Sequence, residues 1–216
     1  MIAAGIGLLP PVFAAGSLMA EVVLVQPAGL AAPRREWIGK ALAFLKEHPV
    51  VPYVEGGADV AGMDCSGAVV RLLKLVEIEP PRSARGQYEW LRKTGRLTIV
   101  PTAARTADDP VFHTLQPGDL IFWASDGPAA PAGPRVSHVH MFLGEEKDGH
   151  AVMIGSSDGR SYRGKKISGF GIVDYRMPRA GSPTRIVAFG SPFPAAVKPA
   201  PDQAEPPASG SPQPNP

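Results

Sequence analysis

The spacing of apolar residues changes midway along this chain, from a helical period to short β-rich runs. That change limits the fold more than any other feature. In the first half, Trp37, Ala41, Phe44 and Leu45 fall 4, 3 and 1 residues apart. They define one face of a helix over residues 36–48, stopped by Pro49. Residues 50–57 are short and Gly-ended, an extended lead-in. Residues 66–78 predict a second helix with a wide apolar face of Val69, Val70, Leu72, Leu73, Leu75 and Val76, ended by Pro80-Pro81. Residues 83–94 predict a third, more polar helix, opened by Ser83 as N-cap and closed near Gly95. Residues 98–114 read as an irregular surface loop with a short strand. From there residues 119–123, 136–143, 151–154 and 184–189 are β-rich runs separated by Gly, Pro, Ser and Asp. Helices first and an antiparallel meander afterwards imply an α+β fold.

The two ends differ from this body. From Ile2 to Ala20 there is no charge, and Glu21 is the only one before Arg34. Pro10-Pro11 suits a membrane-spanning helix poorly. Small residues after an apolar core suit a secretory signal, although no Lys or Arg follows Met1. Residues 1–32 are therefore expected to be a signal peptide or hydrophobic segment, with export to the periplasm or cell exterior and membrane contact through that segment. At the other end, nine of the last 26 residues are Pro, so residues 191–216 are expected to be a disordered Pro-rich tail. The folded unit is expected over residues 33–190, with 21 Lys+Arg against 17 Asp+Glu. A formal net charge of +2 with no dense basic block argues against nucleic-acid binding. The single Cys excludes an internal disulfide framework and a Cys-based zinc site.

That cysteine stands in Met63-Asp-Cys-Ser-Gly67, at the head of the most apolar helix. Unpaired N–H groups at a helix start favour a thiolate, which is the nucleophilic form. The competing reading is a small buried hydrophobe. A nucleophilic Cys65 needs a base. His138 and His140 lie two apart at the start of a strand and share one face. They are either the source of that base or two satisfied core histidines. Two histidines on one face also raise a metal site. The remaining protein ligand would be Cys65 itself, which could then not attack, so neither metal nor cofactor is expected.

Five ordered blocks together resemble a known family. They are Pro52-Tyr-Val-Glu-Gly-Gly57, Asp64-Cys-Ser-Gly67, Pro81-Arg-Ser-Ala-Arg-Gly-Gln87, Leu115-Gln-Pro-Gly-Asp-Leu-Ile-Phe122 and Ser137-His-Val-His-Met-Phe-Leu-Gly144. The chain resembles the NlpC/P60 peptidases, papain-like cysteine hydrolases of cell-wall peptides. The resemblance implies a helix bearing the Cys packed on an antiparallel sheet bearing the His. It implies a monomeric cysteine peptidase acting on peptidoglycan stem peptides at the γ-D-glutamyl bond to a diamino acid. Cys65 matches the nucleophile and His138 the base. Asp64 and Ser66 match residues lining the pocket for the free amino end of the peptide, and Tyr53 a residue of the same site. Asp64 also reads as a plain N-cap, Ser66 as an ordinary first-turn residue and Tyr53 as a half-buried aromatic.

Three positions depart from the family pattern. Glu55 stands where the family usually has an aromatic, and His140 where it usually has Gly. The third catalytic residue, a polar side chain on the next strand, aligns with Gly155. Its role passes to a backbone carbonyl, to Ser157 on the same strand face, or to nothing. Two rivals follow: a binding module for cell-wall peptides that has lost catalysis, and an amidase or acyltransferase on other γ-glutamyl substrates. Beyond the blocks, Arg160 and Arg163 in the polar run of residues 156–164 either hold a substrate carboxylate at the cleft rim or decorate a solvated hairpin loop.

Overall fold

Among the described residues, three α-helices pack beside an antiparallel sheet. The computed structural model describes residues 22–25, 27–125, 133–179 and 181–194. The expected hydrophobic segment falls outside them up to residue 21, and the Pro-rich tail from residue 195. No helix among the described residues is long and apolar enough to cross a membrane.

Helix α1 (Ala32–Glu47) starts with Pro in its first turn and buries Trp37, Ile38, Ala41, Phe44 and Leu45. This is the predicted face with Ile38 added. Each large side chain removed from water is worth about 1.5–3 kcal/mol. The Trp37 indole N–H donates to the Leu72 carbonyl at 2.9 Å, which fixes α1 against the next helix. Helix α2 (Cys65–Lys74) is buried from Cys65 to Val70 and again at Leu72 and Leu73. It ends four residues before the predicted Ile78. Glu77 adopts a left-handed backbone with φ of 60°, and the Ile78 N–H donates to the Leu73 carbonyl, which closes the last turn. Helix α3 (Ala84–Lys93) is capped by Ser83, whose hydroxyl accepts from the Gly86 N–H at 3.1 Å, as predicted.

The strands are β1 (Leu24–Val25), β2 (Ala58–Asp59), β3 (Gly62–Met63), β4 (Leu97–Ile99), β5 (Leu120–Ser125), β6 (Val136–Glu146), β7 (Ala151–Tyr162), β8 (Lys165–Asp174) and β9 (Thr184–Gly190). The main sheet runs β4-β9-β5-β6-β7-β8, with β1 added alongside β6; β2 and β3 form a separate small hairpin. An α+β architecture is what the change of period predicted. Leu24 and Val25 pair with Glu146 and Glu145, so part of the expected hydrophobic segment joins the sheet.

Two strands differ from expectation. β7 continues eight residues past Ile154, and β8 was not predicted at all. The polar run of residues 156–164 is mostly strand, and only its end turns, where Arg163 and Gly164 have φ of 47° and 81°. The hairpin coils back on its own base. The Tyr162 hydroxyl and the Arg163 guanidinium both donate to Glu146, Arg163 also donates to Asp148, and the Arg163 amide donates to Asp174. Arg163 is thereby committed to structural ion pairs. Arg160 is not.

Candidate active site

The loop before α2 is held from both sides. The Met63 N–H donates to the Pro52 carbonyl and the Val54 N–H to the Met63 carbonyl, which lays residues 52–54 beside β3. The Ser156 hydroxyl donates to the same Met63 carbonyl at 2.7 Å, tying the loop to β7. Gly67 is required by close approach. A Cβ there would sit 2.0 Å from the Gly57 carbonyl oxygen, against which the first turn of α2 packs.

Asp64 is the N-cap, accepting from the Gly67 N–H at 2.6 Å. Its carboxylate also accepts from the Gly56 N–H, the Ser66 hydroxyl and both terminal nitrogens of Arg82. Burial pushes this carboxyl up, but Arg82, the Gly67 amide and Ser66 outweigh it and hold it below its ordinary value. The Ser66 hydroxyl in turn accepts from Arg82 at 2.9 Å. Two residues that the resemblance marked as pocket lining thus line the cavity with their polar atoms already engaged. Arg82, quoted in a motif block but given no role, organises them. Its position inside an otherwise helix-capping Pro-Arg-Ser block was the available signal.

Cys65 opens α2 and is buried, yet it lines a cavity of about 440 Å³ with Tyr53, Glu55, Arg82 and Ser137 among its walls. Tyr53 donates to the exposed Glu55 carboxylate at 3.0 Å. Its phenol is pushed up to about 12 by burial, that bond and the surrounding negative groups. The Cys65 sulfur bonds to the Ser137 carbonyl at 3.9 Å, on the strand that carries His138, rather than to an imidazole nitrogen. Burial pushes the Cys65 thiol above its ordinary value. The amides of Val139 and Ser66 pull the other way, and the carboxylates of Asp64 and Glu55 add to the rise. The expectation of a sulfur ionised at rest is therefore corrected: the helix start does favour the anion, but desolvation and two nearby carboxylates outweigh it.

His138 lines an adjoining cavity of about 320 Å³ with Trp123, Ser157, Asp158 and Arg160, and the two cavities share Tyr53 and Ser137. β5 places Trp123 directly opposite His138. The indole meets the His138 and His140 rings edge-on at 5.6 and 5.9 Å, and the Arg160 guanidinium lies over it at 4.6 Å. Burial and Arg160 push His138 down to about 3, and burial, His138 and Arg160 hold His140 well below its ordinary value. Both rings are neutral near pH 7. His138 Nε2, both His140 nitrogens and the Ser157 hydroxyl are buried without a hydrogen-bond partner.

The structure thus gathers Tyr53, Asp64, Cys65 and Ser66 around one cavity and sets His138 in the next. The site has a thiol at a helix start, a neutral imidazole beyond a shared wall, and a cation held on an aromatic face. That set suits acyl transfer at an amide bearing an anionic group nearby.

The NlpC/P60 family model matches residues 50–168. Among solved structures, an NlpC/P60 family protein from Bacillus cereus is 25% identical, with a TM-score of 0.47 over 73% of this chain and 40% of its own. An NLP/P60 family protein, described as similar to lipoprotein, from Staphylococcus aureus is 21% identical, with a TM-score of 0.45 over 79% of this chain and 43% of its own. The P60 domain of an antigen from M. avium subspecies paratuberculosis is 22% identical, with a TM-score of 0.41 over 73% of this chain and 95% of its own. The first two are thus spanned over less than half of their length. No curated protein matches the chain.

Proposed function

The chain belongs to the NlpC/P60 family, and from that premise we propose that it is a cysteine peptidase that hydrolyses amide bonds of peptidoglycan stem peptides. The bond we assign is the γ-D-glutamyl link to a diamino acid. The observation that carries the reading is the placement of Cys65 at the start of α2, facing a cavity, with its sulfur against the strand that bears His138. Export to the cell-wall compartment follows from this substrate.

With both groups neutral at rest, the reaction begins as general-base catalysis. The peptide carbonyl enters beside Cys65, the sulfur bonds to the carbonyl carbon, and His138 takes the thiol proton. The Cys65 backbone N–H at the helix start holds the oxyanion. The carbon–nitrogen bond then breaks, and His138 returns the proton to the leaving amine. Water attacks the thioester, giving one proton to His138, and the thiol re-forms. On the amino side, Asp64 and Ser66 fix Arg82, so the free ammonium end meets Glu55 and Tyr53 at the lip of the cavity. On the far side, Arg160 is the cation available for a carboxylate of the leaving diamino acid.

One observation favours a second reading, a binding module without turnover. The sulfur bonds a backbone carbonyl and His138 Nε2 has no partner. Digestion of purified peptidoglycan separates the two. The wild type should release the expected fragments, and Cys65→Ala should lose at least about 10⁴-fold in rate while still binding the polymer. Equal rates for both proteins would refute the peptidase, and binding without turnover by the wild type would establish the second reading.

A further inference from the structure

The exchange at positions 140 and 155 assigns a role to a residue the family pattern leaves as glycine. β6 and β7 pair with Met141 opposite Ile154 and Phe142 opposite Met153. One step further along that register, Gly155 lies beside His140. A Cβ built on Gly155 would stand 2.5 Å from His140 Cδ2 and 3.0 Å from its Cγ and Nε2. The imidazole of His140 therefore fills the space that a side chain at 155 would need. The two departures from the pattern are complementary in space: the imidazole on β6 occupies the volume that the glycine on β7 leaves open.

The imidazole that fills this space lies against the proposed base. The His138 and His140 ring centroids are 4.5 Å apart, tilted by 50°. Rings this close need only turn for a nitrogen of each to come within hydrogen-bond reach. His138 Nε2 is buried and unpartnered, and so are both His140 nitrogens. Buried polar atoms of this kind are ordinarily paired. His140 is itself fully buried.

Resting on the reading of Cys65 and His138 as the catalytic pair, we propose that His140 is the positioning residue of this site. Its ring accepts the Nε2–H of His138, fixing the tautomer that leaves His138 Nδ1 free to take the thiol proton. A neutral imidazole carries one donor and one acceptor, so bonding at Nε2 decides the state of Nδ1. Ser157 shares the strand face of Gly155 and is the rival for this role.

The test is a set of variants assayed for kcat and KM on a stem peptide with a free amino end. His140→Phe, which keeps a ring in the space, should lower kcat by about 10–100-fold with KM within about twofold. Gly155→His alone should be poorly folded, because two rings claim one space. The double variant His140→Gly with Gly155→His restores the polar group to β7 and should recover activity to within about tenfold of the wild type. Ser157→Ala should lower kcat less than His140→Phe does. Wild-type kcat in His140→Phe, or loss of kcat only in Ser157→Ala, would overturn the assignment. A readout independent of turnover is the ¹⁵N spectrum of the imidazoles. His138 should be the Nε2–H tautomer in the wild type and lose that preference in His140→Phe. An Nδ1–H tautomer in the wild type would overturn the proposal even if the protein hydrolyses peptides, and the expected spectrum would support it even if the protein does not.

Discussion

The two walls that meet at Cys65 obey opposite rules. On the helix side, Asp64 accepts hydrogen bonds from two backbone amides, Ser66 and Arg82, and the Ser66 hydroxyl both donates and accepts. On the sheet side, His138, His140 and Ser157 hold four of the six buried unpartnered side-chain atoms among the described residues. Folding alone gives no reason for the second arrangement, since each such atom costs about 1–3 kcal/mol. A wall whose polar atoms are all engaged is a scaffold. A wall whose polar atoms are left open is where protons and substrate groups can be received, at a cost in stability.

The contrast is most easily broken with acid. His138 binds its proton near pH 3 in the folded state and near 6.5 when unfolded, and His140 is displaced in the same direction. Their folded affinities are depressed, so the stabilisation of the neutral rings is complete above pH 6.5 and is lost as pH falls toward 3. His138 contributes about 1.4 kcal/mol per pH unit within that window, and His140 adds to the same trend. Asp64 acts in the same sense only below its ordinary range, whereas Asp119, raised by burial, acts in the opposite one. Urea unfolding should therefore show more than about 2 kcal/mol less stability at pH ~4.5 than at ~6.5, and His140→Phe should show a smaller difference. A flat profile would mean that the sheet wall is not a store of neutral imidazole.

The helix wall should respond to the loss of a partner instead. Asp64→Ala removes the N-cap of α2 and leaves Arg82 and two amides without their acceptor. The cap is worth about 1–2 kcal/mol. The ion pair adds little because the Arg82 side chain is 42% exposed. The expected loss is about 2–3 kcal/mol at pH ~7, measured as a shift of the urea midpoint with unchanged slope. A loss under about 0.5 kcal/mol would show that the bonding around Asp64 is not what holds this wall.

The walls also differ in how much of them could be read from the sequence. Trp37, Ala41, Phe44 and Leu45 announce α1 because a helix repeats its face locally, and Ser83 announces α3 because a cap is a local bond. The helix wall was legible for the same reason: Asp64, Cys65 and Ser66 are consecutive. The sheet wall was not. β7 runs through Ser156, Ser157, Asp158 and Gly159, which carry no β-branched or aromatic signal, so its outer half read as a loop. β8 escaped because Gly169 and Gly171 interrupt its apolar pattern. The exchange between His140 and Gly155 joins residues 15 apart in sequence, and only the strand register puts them in one place. The ionisation of Cys65 was misjudged because the helix start is visible in the sequence, whereas burial and the approach of Glu55 are tertiary facts.

The smallest expected effect tests the rule of the sheet wall most directly. The Ser157 hydroxyl is buried with no partner, and the mechanism proposed here does not use it. Removing an unsatisfied buried hydroxyl removes its desolvation cost, while the lost atom leaves only a small void. Ser157→Ala should therefore raise stability by about 0.5–1 kcal/mol, against the usual direction of a core substitution. The same change at Ser156, whose hydroxyl donates to the Met63 carbonyl, should lower it by about 1 kcal/mol or more. Adjacent serines with opposite signs would show that the two faces of β7 are governed separately, one by the scaffold and one by the cleft. If both lose stability, the Ser157 hydroxyl has a partner in solution, and Ser157 rather than His140 becomes the stronger candidate to orient His138.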